Sequence, residues 1–289
     1  MRSSQPLQML AIGDFRREEF RAARESLDAV GAVREAATLA EAIALLAAPG
    51  PPERVEMPAS DETFDVGPTP AVDVVVLAQG APGCFSAADV ERLRRAAPTA
   101  RFVALAGSWC EGEVRSGHPP PGVIRVYWHQ WAARAGQELR RLADGEASSW
   151  SLPQTAGDDE PFLALAEAPL RCGTGRVAVV ADEFDMQAWL ADALGAAGYE
   201  PHTGPNAGPQ IDPQQRPKAI VYDAPSALGR ACDAIGRLAA AHPGVPIVVL
   251  MQFPRWDEVE AVRAAGATAT LSKPLALDDL LEQIARVVG

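Results

Sequence analysis

Lysine is nearly missing from this chain: of its 26 basic residues only Lys218 and Lys273 are lysines, so an isolated Lys stands out against a bias towards Arg. Cysteine is scarce too. Cys84, Cys110, Cys172 and Cys232 form no Cys-x-x-Cys pair and have no His cluster beside them, which excludes a zinc site or disulfide framework and leaves reduced, mostly buried thiols as the expectation. The longest apolar runs, 72–78 (interrupted by Asp73) and 247–251, are far too short to cross a bilayer, and no signal-peptide core opens the chain. A cytoplasmic location without membrane insertion is expected. Positive charge is in deficit: the formal net charge of -12 opposes binding to a phosphate backbone, so no direct contact with nucleic acid is expected. Neither half offers a Gly-rich phosphate loop, a P-loop or a nucleophile–base pair, which weighs against a small-molecule enzyme.

What remains is ordinary globular material. With 48% hydrophobic and 22% charged residues over 289 positions, the chain reads as folded and long enough for two domains. In the C-terminal part a β-branched run over 177–181 precedes Met186, Trp189, Leu190, Ala193 and Leu194, the spacing of a helix's buried face. After Gly198, the prolines at 201, 205, 209, 213 and 217 exclude a regular helix and predict an irregular stretch. Strands over 219–222, 247–251 and 268–271 then alternate with helices that carry Leu228, Cys232, Ile235 and Leu238, span 256–265, and carry Leu280, Leu281, Ile284, Val287 and Val288. Such alternation implies a parallel sheet covered on both faces. The N-terminal part follows the same plan, with strands over 9–12, 72–78, 102–106 and 123–127, and helices over 16–30, 39–47, 87–97 and one ending near Leu142. The halves read as a diverged repeat. Domains over 1–143 and 176–289 are expected, with a Pro-rich and acidic insertion at 49–70, extended or disordered, and a linker at 144–175.

In an open parallel sheet, ligands sit beyond the carboxyl ends of the strands. There the C-terminal half places Asp182 and Glu183, Asp223, and Lys273. Carboxylate oxygens of this kind suit Mg²⁺, and an ammonium compensates the charge of a transferred phosphoryl group. Asp182, Glu183 and Asp185 also fit as acids at a helix N-terminus, Asp223 as a loop or N-cap acid, and Lys273 as a solvated charge. The joint pattern of four charges at strand ends favours a shared pocket.

The residues Val180-Ala181-Asp182-Glu183-Phe184, Ile220-Val221-Tyr222-Asp223, and Gly266-Ala267 through Ser272-Lys273-Pro274 resemble the motifs of a response-regulator receiver domain, over the whole of 176–289. The resemblance implies two tandem flavodoxin-like, three-layer αβα domains with parallel sheets, the N-terminal one a degenerate pseudo-receiver. It implies Asp223 as phosphate acceptor, Lys273 as partner of the phosphoryl charge, and Mg²⁺ held by Asp182, Glu183 and Asp223. The implied partner is a histidine kinase or phosphotransfer protein, the output is through contacts with other signalling proteins, and a homodimer is left open. No enzymatic activity beyond self-phosphorylation and self-dephosphorylation at Asp223 is implied. Two positions depart from the family: Met251 stands where a Thr or Ser hydroxyl is usual, and Thr270 where a switch aromatic is usual. The N-terminal half keeps Gly13-Asp14 at the acidic pair but has Ala78 or Gln79 at the acceptor, Ala106 at the hydroxyl position and Trp128 at the Lys. Trp128 and Trp131 fit buried packing as the commoner explanation, with an interface as the second reading. A phosphorylation-independent scaffold built on two pseudo-receivers is the alternative function, and a small-molecule enzyme on a flavodoxin-like sheet a more distant one.

Overall fold

Val74–Gln79 is a run of β-branched and aliphatic residues buried at all six positions, as a strand must be when helices cover both faces of its sheet. This strand, β3, lies at the centre of the first of two five-stranded parallel sheets in the computed structural model, which describes residues 6–48, 72–110, 113, 120–146, 148–152, 172–203 and 216–288. The other strands of that sheet are β1 (Leu7–Ile12), β2 (Gly31–Ala36), β4 (Arg101–Ala106) and β5 (Ile124–Tyr127), in the order β2-β1-β3-β4-β5. Helices α1 (Arg21–Val30), α2 (Leu39–Ala47), α3 (Ala87–Ala96) and α4 (Trp131–Asp144) make the connections or follow the last strand. Leu10, Ile12, Val75 and Leu77 pack one face of the sheet against Leu46 of α2 and Leu93 of α3.

The second sheet repeats this order. β6 (Arg176–Val180), β7 (Glu200–Thr203), β8 (Ala219–Asp223), β9 (Ile247–Gln252) and β10 (Ala269–Lys273) run β7-β6-β8-β9-β10. Between them lie α5 (Phe184–Ala196), α6 (Leu228–Ala241) and α7 (Trp256–Ala264), and α8 (Leu277–Val288) closes the chain. Val177, Val179, Val221, Val248 and Leu250 face Leu190 and Leu194 of α5 and Leu280, Leu281 and Ile284 of α8. Ala178, Ile220, Tyr222, Ile247 and Val249 face Ile235 of α6 and Val262 of α7. These are two flavodoxin-like three-layer units, each with strand order 2-1-3-4-5, around which the chain divides.

Both edge strands that follow the first helix of a unit escape the sequence reading. β2 is Gly-Ala-Val-Arg-Glu-Ala with only Ala36 buried, so it shows no apolar run or clean alternation. Gly31 at its start lies so close to β1 that a Cβ would stand 2.3 Å from the Leu7 carbonyl oxygen. β7 contains Pro201 and corrects the expectation that the chain is irregular from there onward. An edge strand is hydrogen-bonded on one side only and accommodates a missing N–H. The prolines at 205, 209 and 213 lie outside the described residues, as does the insertion at 49–70. Helix α1 begins at Arg21 rather than Arg16, after a 3₁₀ turn (Glu18–Phe20), because Glu19 turns inward to accept from Ser108 N and Oγ while pairing with Arg17. Within the stretch read as linker, a 3₁₀ turn (Ser149–Ser151) folds back on α4: Ser148 Oγ donates to Glu138, and Trp150 lies 6.4 Å from Trp131, centroid to centroid.

Candidate functional site

Asp223 is the last residue of β8, after four buried positions, and its side chain is only 12% exposed. A carboxylate held this far from water calls for a partner. Lys273 supplies one from the end of β10, donating Nζ to Asp223 Oδ1 at 2.5 Å. β9 lies between these two strands, with Leu250 paired to both Asp223 and Leu271. The ammonium therefore spans two strand spacings, about 10 Å of backbone separation, which only a long side chain covers. Beside it Met251, 8% exposed, is packed into the core on the α6–α7 side and presents no hydroxyl. Thr270 on β10 is half-buried.

Asp182 and Glu183 follow β6, which is hydrogen-bonded to β8, so they lie beside Asp223 at the carboxyl edge of the sheet. Both are exposed. Glu183 holds the N-cap position of α5, yet its side chain makes no capping hydrogen bond. The residue at the N-cap of α6 is Ala227, which removes the N-cap alternative for Asp223. Burial first, then the negative charge of Asp182, raises the Tyr222 phenol above its ordinary pKa, so Asp182 lies within electrostatic reach of β8. The Asp182 carboxylate, 69% exposed, faces Arg230 of α6, with Oδ2 3.9 Å from Nη2.

The structure thus brings Asp223 and Lys273 into contact and sets Asp182 and Glu183 at the rim. It does not gather the three acids: among the described residues no group of three or more His, Cys, Asp or Glu is placed to hold a metal ion. In donor chemistry these carboxylates fit Mg²⁺; in arrangement, one faces Lys273 and another Arg230.

The first unit shows what occupies the same places there. Val180 pairs with Tyr222, and Ile12 with Leu77; the next residue on the central strand is Asp223 in one unit and Ala78 in the other. By the same count Met251 corresponds to Ala106 and Lys273 to Trp128. Around Ala78 lies a cavity of about 400 Å³ lined by Gly13, Asp14, Arg17, Cys84 and Phe85 among others. Trp128 and Trp131 are 7% and 1% exposed, so as interface candidates they are overturned. Trp131 donates its indole N–H to Ser26 Oγ at 2.7 Å and anchors α4 on α1. Trp109 of the same unit, by contrast, is 74% exposed.

A buried polar cluster in the first unit lay beyond sequence reasoning. Gln79 Nε2 donates to Glu113 Oε2 at 3.0 Å, and Arg125 Nη2 pairs with the same oxygen at 2.7 Å. Burial, then the Glu113 charge, pushes the neighbouring Cys110 thiol up to about 11. The one available signal was a polar residue, Gln79, closing an otherwise apolar buried strand.

No family model matches the chain. It is 32% identical over 117 residues to the transcriptional regulatory protein PdtaR of Mycobacterium tuberculosis, a stretch covering 39% of this chain and 57% of that protein. The chain thus spans little more than half the length of the relative it matches. Among solved structures it is similar to a response regulator from Thermotoga maritima (21% identity, 40% of this chain, 98% of that one, TM-score 0.34). It is likewise similar to chemotaxis protein CheY4 of Vibrio cholerae (22%, 40% and 99%, TM-score 0.33). A pilus assembly protein from Burkholderia thailandensis is comparable (23%, 39% and 98%, TM-score 0.34). The chain is similar to response-regulator receivers over about two fifths of its length.

Proposed function

We propose that this chain is a signal-transduction protein of the two-component or phosphorelay type, in which Asp223 accepts a phosphoryl group from a histidine kinase or phosphotransfer protein. The observation that carries the reading is the Asp223–Lys273 contact at the carboxyl edge of the second sheet. Asp223 attacks phosphorus with a carboxylate oxygen, the bond from phosphorus to the donor breaks, and the Lys273 ammonium compensates the charge that arrives. Mg²⁺ would supply further compensation there, with Asp182, Glu183 and Asp223 as the acids that would have to turn towards it. The reading places 176–289 as the receiver, 1–143 as its degenerate counterpart and 144–175 as the connection. It makes the protein cytoplasmic, acting through protein contacts rather than catalysis on small molecules or direct binding of nucleic acid. Among the described residues no helix is long and apolar enough to cross a membrane.

Incubation of the full chain with acetyl phosphate and Mg²⁺ is expected to add the mass of one phosphoryl group, and Asp223→Asn to abolish the addition. An unchanged mass, or equal addition to the variant, would sink the proposal. A second reading, a scaffold indifferent to phosphorylation, is favoured by Met251, whose side chain brings no hydroxyl to the end of β9. It predicts partner binding that survives Asp223→Asn unchanged.

A further inference from the structure

Lys273 answers the charge of Asp223, but a second cation reaches the same rim. Arg230, the third residue of α6, brings its guanidinium Nη2 to 3.9 Å from Asp182 Oδ2. Its side chain is 76% exposed, so it arrives over the mouth of the site and not through the core. With Lys273 on one carboxylate and Arg230 facing another, the protein's own cations occupy the surroundings in which a divalent ion would find its oxygens.

We propose that Arg230 restrains divalent-cation binding at this site by competing for the Asp182 carboxylate. The inference rests on the reading of Asp182 and Asp223 as parts of one site. An Mg²⁺ ion needs hard oxygen donors, and a fixed positive charge beside one of them disfavours the ion twice, by engaging the ligand and by direct repulsion. For a divalent ion about 6 Å from a monovalent charge in a solvated mouth, screened by about 0.1 M salt, the repulsion corresponds to about fourfold in affinity. An ion pair exposed on both sides contributes little to folding, so removing Arg230 leaves the fold intact and isolates the effect on the ion.

The test is a calorimetric Mg²⁺ titration of the full chain as wild type, Arg230→Ala and Arg230→Lys. Arg230→Ala is expected to bind Mg²⁺ about fourfold more tightly at about 0.1 M salt, with the gain larger at lower salt and shrinking as salt rises. Arg230→Lys, which keeps the charge, should stay near wild type. Equal affinities for wild type and Arg230→Ala at low salt overturn the proposal, as does tighter binding that persists unchanged at high salt. No heat of binding in any variant overturns it as well and removes the ion from the site. The acetyl phosphate experiment on Asp223→Asn still decides the phosphoacceptor separately.

Discussion

Replacing Lys273 by Met leaves a carboxylate that is 12% exposed without the cation now 2.5 Å away. At that distance and an effective dielectric constant of about 20, the gross attraction is about 7 kcal/mol. Most of it is offset by the desolvation both groups undergo on folding, so the net loss is about 2 kcal/mol, below that of a fully buried pair because both groups retain some water. Asp223→Asn costs less, about 1 kcal/mol, since the freed ammonium swings towards solvent on its flexible stem. The double variant carries neither an orphaned carboxylate nor an orphaned ammonium, and its cost falls short of the sum by about 1.5 kcal/mol. Hydrogen–deuterium exchange of the full chain, followed on peptides covering β8 and β10, reads the local opening free energies without requiring the two units to unfold together. A coupling below about 0.5 kcal/mol, the margin within which independent sites add, refutes the view that this pair organises the site.

Trp131→Ala removes a side chain that is 1% exposed and the indole hydrogen bond to Ser26, and should cost the first unit about 3–5 kcal/mol by thermal or urea denaturation. A loss under about 1 kcal/mol would mean that α4 is not anchored there. The Cys110 thiol, raised from 9.0 to about 11, favours the folded state while protonated. That contribution is complete below about pH 9, where unfolded thiol begins to ionise, and is lost as pH rises through about 11. Comparing urea midpoints of wild type and Cys110→Ala across this range should show the wild type losing ground, whereas parallel curves would contradict the burial. Exposed Cys84 and Cys172 should react with a thiol reagent well before Cys110 in the native chain.

How much of this was legible in the sequence follows from where each residue sits. β3, β8 and β9 announce themselves because burial on both faces demands unbroken apolar runs. β2 and β7 do not, because an edge strand needs neither such a run nor a full set of N–H donors, and β7 carries a proline besides. Asp223 and Lys273 could be singled out because charges closing buried strands are unusual. Their shared pocket follows from the strand ends, and the structure adds the direct ion pair across β9. Arg230 was invisible, one Arg among 26 − 2 = 24, on a helix turn with no local pattern to mark it. The Gln79–Glu113–Arg125 cluster was equally hidden, because it is assembled from three segments that only the sheet brings together. Trp128 and Trp131 left two readings open because aromatic residues serve a core and an interface alike, and sequence does not report exposure; their burial favours the core.

Asp223 and Lys273 of the second unit stand where the first has Ala78 and Trp128, and neither place in the first unit can change alone without cost. An aspartate at Ala78, only 6% exposed, would bury a charge with an indole where its counter-ion should stand. A lysine at Trp128 alone would exchange a buried ring for a cation without the acid that Lys273 meets. Grafting such a pair into the first unit therefore requires both exchanges together, since either one alone yields a weakened fold.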